Sequence, residues 1–299
     1  MNEETLEKVR RAGAIAAEAR ELGANMVDEG VKLLDVAAEV EAFIVRKGAR
    51  PAFPTNLSIN DAAAHYTPSS TDKLTFKRGD LVKVDVGAQV DGYIGDTAKT
   101  VEVRTRNWTN LINASVKALS FATEMVGEGV QIGSIGGAIE RAINSEGFVP
   151  VTNLTGHGLN CYNLHAGLTV ANYDDGNVTR LRNDMMLAIE PFATNGAGEV
   201  RNGKPGNIYR ILRDREVKDA DANRLFSKIK EEFKGLPFCE RWCTAIDPKA
   251  PAHLRTMVRH GILFAYPVLS EIKGGMVSQA EHTVVIIGGK GEITTRLDV

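Results

Sequence analysis

The chain has 299 residues, of which 43% are hydrophobic and 25% charged, and its formal net charge is −2. That length and apolar content are enough for a large core in one or two domains. A net charge so close to zero gives no reason to expect a specific nucleic acid or an anionic membrane as a partner. No apolar run approaches the roughly 20 residues of a membrane span. Three cysteines without a Cys-x-x-Cys spacing, and an N-terminal segment without an export signal, predict a reduced, cytoplasmic protein.

The first half of the chain predicts two helices that recur in the second half. Apolar periodicity predicts long helices over roughly residues 4 to 27 and 108 to 126. A shorter helix follows each of them, with Asp35 and Ser134 expected as the N-caps and a glycine at the end. The repeat predicts two similar halves, at about 1–105 and 106–299, with a cleft between them.

After the first pair of helices, residues 82 to 97 predict a β-hairpin that carries two carboxylates. Apolar residues alternate around Asp85, glycines mark the turn, and a second strand runs through Asp96. A carboxylate on an apolar strand face is costly unless a cation neutralises it. Taken alone, however, each aspartate is more readily explained as a solvated residue at a strand end.

Three more side chains of metal-binding type follow along the chain. His157 lies between two glycines, Glu190 ends the apolar run 185–189, and Glu281 interrupts the apolar stretch 279–287. Each of them alone would be an ordinary polar residue. Together with the two aspartates of the hairpin they give four carboxylates and one imidazole, which is the ligand set that two adjacent divalent cations require.

The stretch between Glu190 and Glu281 is far longer than a connection between two strands needs. Amphipathic patterns predict helices at 219–230, at 238–242 and at 251–261. We therefore expect a compact helical insertion over residues 210–262. Acidic residues alternate with its lysines and arginines, so a solvated surface is a better explanation than a nucleic-acid reader.

At this point the chain closely resembles the methionine aminopeptidases, and among them the type 2 subfamily in its short archaeal form. The resemblance extends over essentially the whole chain. The stretches that carry it are Pro51–Pro54, Asn56–Asn60, Ala64–Pro68, the Asp85/Asp96 hairpin, Gly156-His157, Leu164–Gly167, Ile189–Phe192 and Glu281–Thr283. It implies the α+β "pita-bread" fold of the creatinases and aminopeptidases. It also implies a single catalytic domain over 1–299, with two halves related by pseudo-two-fold symmetry and an insertion at 210–262 typical of type 2.

The resemblance also implies roles for particular residues. The family pattern of ligands for two divalent ions falls on Asp85, Asp96, His157, Glu190 and Glu281, with cobalt, manganese, iron and zinc all compatible. In that pattern the second aspartate and the last glutamate bridge both ions. The substrate-contacting histidines fall on His65 and His165, and Glu190 is the expected proton carrier. Candidates for an apolar methionine pocket are Phe53, Leu164 and Tyr266, although each of them could equally be ordinary core packing.

The implied activity is removal of methionine from the N termini of nascent polypeptides whose second residue is small. The expected enzyme is a cytoplasmic monomer, with transient association with the ribosome as a further expectation. Two other interpretations remain open. An Xaa-Pro dipeptidase of the same fold would use the same five ligands, but the long insertion and the run Ile189–Thr194 favour the first interpretation. A noncatalytic relative that binds a partner such as the ribosome would typically have lost metal ligands, and all five are present here.

Overall fold

The computed structural model describes residues 1–297. Its helices are α1 (Glu3–Met26), α2 (Leu33–Arg46), α3 (Thr109–Met125), α4 (Ile132–Ser145), α5 (Ala220–Phe233), α6 (Glu240–Ile246) and α7 (Ala250–Arg259). Its strands are β1 (Arg50–Ile59), β2 (Ala62–Ala64), β3 (Leu81–Val90), β4 (Tyr93–Glu102), β5 (Val149–Pro150), β6 (Thr155–Leu159), β7 (Thr169–Ala171), β8 (Met186–Ile189), β9 (Phe192–Thr194), β10 (Val200–Ile211), β11 (Phe238–Cys239), β12 (Leu263–Glu271), β13 (Val277–Gln279), β14 (His282–Ile287) and β15 (Lys290–Ile293). Within the described range, no helix has the length and hydropathy that a membrane crossing requires.

The helices of the two halves follow the predicted repeat. The long helices α1 and α3 match the predictions at 4–27 and 108–126, and the shorter helices α2 and α4 follow them. Each pair buries an apolar stripe of leucine, isoleucine, valine and alanine against a sheet. Burial of such side chains stabilises the fold by about 1.5–3 kcal/mol for each large aliphatic group.

The N-caps expected for the shorter helices are wrong. Asp35 and Ser134 lie inside the first turn, and the capping positions are occupied by residues without a side-chain cap. A neighbouring segment replaces the cap, since the free N–H of Leu33 donates to the carbonyl of Leu74 at 3.1 Å. Tertiary contact therefore satisfies the helix end that the sequence pattern assigned to a side chain.

The β3–β4 hairpin forms as predicted. At its turn Asp91 and Gly92 have φ values of 51° and 91°, the positive values that a two-residue turn of type I′ requires. In the register of the hairpin Asp85 is opposite Ala98, and Asp96 is opposite Gly87. The two carboxylates consequently lie on the same face of the sheet.

The two halves meet where the outer strand β4 of the first sheet lies against the residue that precedes β14. The first half contributes the sheet β1-β3-β4, and the second contributes the sheet β15-β14-β8-β6-β7. Glu281, immediately before β14, forms an antiparallel bridge with Ala98 of β4, in which its N–H donates to the Ala98 carbonyl at 3.0 Å. This bridge brings the last predicted metal ligand beside the hairpin of the first half.

Helices α5, α6 and α7 follow β10 and precede β12 along the chain, and they pack together as a cluster. The strands β10 and β12 pair with each other. Their shared core contains Leu225, Phe226, Ile229, Leu254 and Met257. The predictions at 219–230 and 251–261 correspond to α5 and α7. The prediction at 238–242 is wrong in its first part, because residues 238–239 pair with β10 as strand β11 and α6 begins only afterwards.

Candidate metal centre

A cavity of about 210 Å³ opens where the two halves meet. All the site residues predicted from the sequence line it, namely Phe53, His65, Asp85, Asp96, His157, Leu164, His165, Glu190, Tyr266 and Glu281. A larger cleft of about 1210 Å³ lies between α2 and the helices α5 and α6, and it is lined by none of those ten residues. The candidate site residues are therefore gathered in the smaller cavity.

The strands β6 and β8 bring His157 close to Glu190. A Cβ atom at Gly156 would lie 2.4 Å from the carbonyl oxygen of Ala188, so only glycine allows this approach of the two strands. The imidazole Nε2 of His157 then lies 3.6 Å from Oε1 of Glu190 and 3.7 Å from Oδ2 of Asp96. Its Nδ1 is 3.4 Å from a main-chain carbonyl, so it is Nε2 that faces the carboxylates.

Within the described residues, one group has the geometry for a metal ion. An oxygen of Asp96, an oxygen of Glu281 and a ring nitrogen of His157 all lie within 4.8 Å of one another, and all three side chains are buried. Asp85 and Glu190 line the same cavity beside them. The ligand types are those of a divalent transition-metal site.

Burial opposes the charge of every carboxylate in this group. It raises the pKa of Asp85 to about 7, and it raises the pKa of Asp96 well above its ordinary value, with repulsion from Asp85 adding to the effect. Burial is also the first cause of the raised pKa values of Glu190 and Glu281, followed in both cases by the charge of Asp96. The pKa of His157 is lowered to about 3, first by burial and then by His165, so its contacts with the carboxylates are not ion pairs.

A divalent cation would remove this conflict. The buried oxygens Asp85 Oδ1, Asp96 Oδ1 and Glu281 Oε2 have no hydrogen-bond partner. Buried carboxylate oxygens without partners are costly, and mutual repulsion adds to that cost. The residues present therefore fit bound metal ions, which would favour the ionised carboxylates and the neutral imidazole.

Neighbouring polar groups orient these candidate ligands. The side-chain amide of Gln279 donates to Oε2 of Glu190 at 3.3 Å. The hydroxyl of Thr97 donates to the carbonyl of Glu281 at 2.8 Å and accepts a hydrogen bond from the guanidinium of Arg20 at 2.6 Å. Second contacts of this kind fix the orientation of metal ligands.

Two histidines and a tyrosine form another part of the cavity wall. The ring of His65 packs edge-on against Tyr266 at 5.1 Å between centroids, and the ring of His165 lies 4.5 Å from that of His157. Burial first, and then the charge of His165, lower the pKa of His65 to about 4. His65 is thus a neutral imidazole, and its Nδ1 is buried without a partner.

Comparison with known proteins identifies the family of this chain. A model of metallopeptidase family M24 matches residues 7–226. A methionine aminopeptidase of Archaeoglobus fulgidus is 46% identical over 297 residues, covering 99% of this chain and 100% of that one. A methionine aminopeptidase of Pyrococcus abyssi is 43% identical, covering 97% of this chain and 99% of that one.

The chain belongs to metallopeptidase family M24, among its archaeal type 2 methionine aminopeptidases. The resemblance drawn from the sequence is thereby confirmed. Membership of this metallopeptidase family implies bound metal ions, and the buried group of Asp96, His157 and Glu281 is suited to hold them.

Solved structures support the α+β pita-bread fold of family M24. The methionine aminopeptidase of Thermotoga maritima superposes with a TM-score of 0.72 at 24% identity, covering 99% of this chain and 98% of that one. A thermophilic Arx1 gives a TM-score of 0.86 at 16% identity, covering 100% and 92%. A prolidase of Pyrococcus furiosus gives 0.63 at 19% identity, covering 100% of this chain but 65% of the prolidase. The predicted fold class is therefore confirmed.

Sequence reasoning missed several residues that line or support the site. Asn56 lines the cavity with a buried Oδ1 that has no partner, and Phe192 and Ile208 add apolar wall. Gln279 contacts Glu190 directly. The one available signal was strand alternation, because Gln279 lies two residues before Glu281 and so faces the same side.

Proposed function

We infer that the protein is a methionyl aminopeptidase that works with two divalent metal ions held by Asp85, Asp96, His157, Glu190 and Glu281. Removal of N-terminal methionine from substrate proteins is the reaction of the group of enzymes to which the chain belongs. The observation that carries the proposal for the site is the convergence of four carboxylates, two of them fully buried and two partly buried, and a neutral imidazole on one cavity. When bound, such ions polarise a carbonyl group and supply a hydroxide nucleophile near neutral pH.

Glu190 is the proposed proton carrier. Its Oε2 accepts the hydrogen bond from Gln279, while its Oε1 points toward His157. A carboxylate held in this way has one fixed oxygen and one that can take up a proton and return it to the leaving amine. Gln279 keeps the carboxylate plane in place during that exchange.

His65 and His165 are the proposed hydrogen-bond donors to the scissile carbonyl. Both line the cavity, on the side that also carries Tyr266. A neutral imidazole donates one N–H, and a donor aimed at the developing oxyanion lowers the barrier more than it strengthens substrate binding. We assign the stabilisation of the tetrahedral intermediate to these two side chains.

Phe53, Leu164 and Tyr266 form the proposed methionine pocket. Phe53 is 6% exposed and Leu164 is 8% exposed, and both face the cavity that holds the carboxylates. An unbranched thioether suits an irregular apolar wall of this kind. Bulky side chains beyond the scissile bond would collide with the histidine rings, which gives a preference for peptides with a small second residue.

We further propose a single catalytic domain with the helical insertion at 210–262. The rest of this proposal is a monomeric cytoplasmic enzyme that acts on nascent chains and associates transiently with the ribosome. The modest net charge of −2 fits a soluble enzyme without a specific nucleic-acid partner. Sedimentation of the protein alone tests the monomer, and co-sedimentation with translating ribosomes tests the association.

Metal analysis together with peptide cleavage tests the proposed function. Protein purified without oxygen should contain two equivalents of a divalent metal and should release methionine from Met-Ala-Ser. It should leave acetyl-Met-Ala-Ser and Met-Trp-Ser intact. Glu281→Gln should lose both metal and activity, whereas Glu292→Gln, which alters a carboxylate paired with Arg10 and outside the cavity lining, should keep both. Preferential cleavage of Ala-Pro would support the dipeptidase instead, and metal-free protein without turnover would support a noncatalytic binding role.

A further inference from the structure

The backbone at His65 has an unusual conformation. This residue follows β2 with a φ of +67°, in the left-handed region that residues other than glycine rarely adopt. Such a conformation costs on the order of 1–3 kcal/mol and persists only when the surroundings hold it. The turn directs the side chain of His65 into the cavity, so whatever holds the turn also holds the ring.

One side of the turn is held by strand β1. The N–H of Leu57 donates to the carbonyl of Tyr66 at 2.7 Å, and the hydroxyl of Thr67 donates to the carbonyl of Thr55 at 2.8 Å. Thr67 is 1% exposed. These contacts fix the segment after His65 relative to strand β1.

The other side is held by Arg241, in the first turn of α6 within the helical insertion. Its Nε donates to the carbonyl of Pro68 at 2.8 Å, and its Nη2 donates to Oγ1 of Thr67 at 3.1 Å. Both of its terminal nitrogens also donate to the carboxylate of Glu41 in α2, at 2.7 and 2.9 Å. The guanidinium thus joins the insertion, α2 and the residues that follow His65.

Glu41 is itself held on two further sides. Its carboxylate accepts hydrogen bonds from the N–H of Thr55 at 3.1 Å and from the indole of Trp242 at 2.8 Å. The side chains of Glu41 and Arg241 are 10% and 9% exposed. Burial disfavours the charge of Arg241, but the hydrogen bonds from Glu41 outweigh it and the pKa of the guanidinium is raised. The pair is therefore buried, charged and bidentate, the arrangement that fixes geometry most firmly.

We propose that Arg241 is a positioning residue, through which the helical insertion holds His65 in its catalytic orientation. The proposal rests on the role assigned to His65 in the proposed function. It gives the insertion a part in catalysis, because α6 supplies the guanidinium that closes the turn. Displacements of about 1 Å at a catalytic group can cost on the order of 100-fold in rate, so a loosened turn should be visible in turnover.

The test uses variants that keep the fold while they release the turn. Removing one member of a buried ion pair leaves an unpaired charge, whereas replacing both with apolar residues is often neutral for stability. The combined variant Glu41→Leu/Arg241→Leu should therefore fold and bind metal, with some loss of stability because the N–H of Thr55 and the indole of Trp242 lose the Glu41 carboxylate. We expect its kcat for Met-Ala-Ser to fall by about 10-fold or more while KM changes little, because the lost interaction acts in the transition state. Amide hydrogen exchange at Tyr66 and Thr67 should be faster.

A finer pair of variants tests the hydroxyl that joins Arg241 to the turn. Thr67→Ser keeps this hydroxyl and should retain activity. Thr67→Val removes it at nearly constant shape, together with its hydrogen bonds to Arg241 and to the carbonyl of Thr55, and should lower kcat. In a His65→Ala background the combined leucine variant should cause no further loss, since its effect passes through that ring. Wild-type kcat in the combined variant, or a full additional loss in the His65→Ala background, would overturn the proposal. Wild-type turnover by His65→Ala itself would instead overturn the role of His65, and the positioning role with it.

Discussion

Asp96 and Thr283 exchange two hydrogen bonds across the junction of the two halves. The N–H of Asp96 donates to Oγ1 of Thr283 at 2.8 Å, and that hydroxyl donates to the carbonyl of Asp96 at 2.9 Å. One hydroxyl thus satisfies the buried main chain of a proposed metal ligand that lies 187 residues away in sequence. The same junction contains the bridge between Ala98 and Glu281. The relative position of two carboxylates therefore depends on contacts between the halves.

Thr283→Val should weaken both the fold and the metal site. The substitution keeps the shape but leaves the buried N–H and carbonyl of Asp96 without a partner, which costs about 1–3 kcal/mol. Chemical denaturation should show that loss in the metal-free protein, and calorimetric titration should show weaker metal binding. Thr283→Ser, which keeps the hydroxyl, is the matched control. Unchanged stability and affinity in Thr283→Val would mean that the exchange of hydrogen bonds contributes nothing.

The metal-free protein should become less stable as the pH rises through about 7, the value to which burial raises the pKa of Asp85. Burial, and then repulsion between carboxylates, raise the pKa of Glu190 well above its ordinary value, and the same causes raise the pKa of Glu281. The folded state therefore binds more protons than the unfolded chain, in which these groups are ionised. The stability that a raised pKa contributes is lost as the pH rises through the pKa of that group in the folded state. Lys83 opposes this trend above pH 7, because burial lowers its pKa to about 7.

Thermal unfolding measured at several pH values tests this expectation. Metal-loaded protein should show a smaller fall than protein treated with a chelator, because bound cations favour the ionised carboxylates. Glu190→Gln removes one of the repelling groups, so its metal-free form should be more stable than the wild type at pH 8 and less dependent on pH. A metal-free wild type whose stability rises from pH 6.5 to 8.5 would contradict the assignment of raised pKa values.

The proposed metal ligands stand out in the sequence because each carboxylate lies within or directly beside an apolar strand. Asp85 and Glu281 are carboxyl groups in valine-rich and isoleucine-rich runs, and that conflict is visible in the sequence. The hairpin could be predicted as well, since alternation and a turn glycine are local signals. The N-cap predicted at Asp35 was wrong, because a carbonyl group from a segment far away in sequence accepts the hydrogen bond at that helix end.

Contacts between residues far apart in sequence could not be predicted in this way. Arg241 and Glu41 are 200 residues apart, and either of them alone reads as an exposed charge on an amphipathic helix. Asn56 and Gln279 are amides within strands, which are ordinary in sequence and become informative only once their burial at the cavity is known. Such residues are recognised as parts of the site only from their positions in the folded structure.

His165→Ala should lower kcat by about 100-fold or more if this side chain stabilises the developing oxyanion. Its ring lies beside that of His157 without belonging to the buried group that can hold a metal ion. Metal content should therefore be unchanged, and His165→Gln, which keeps a side-chain N–H, should retain part of the activity. Loss of metal from His165→Ala would identify this residue as a ligand and would contradict the proposed role.

Phe53→Ala should change which N-terminal residue the enzyme accepts. The ring of Phe53 covers Gly87, where a Cβ atom would lie only 2.2 Å from the ring, and its other side lines the cavity. Truncation enlarges the apolar pocket and removes contacts with the methionine side chain, and one or two lost methylene-sized contacts are worth about 1–3 kcal/mol of discrimination. We expect kcat/KM for Met-Ala-Ser to fall by about 10-fold or more, and cleavage of Phe-Ala-Ser to become measurable.

Val45→Ala, which alters an exposed apolar side chain of α2 outside this cavity, is the control and should leave both rates unchanged. A Phe53→Ala enzyme with the substrate preference of the wild type would assign Phe53 to core packing, and the methionine pocket would then have to be formed by Leu164, Tyr266 and the remaining wall.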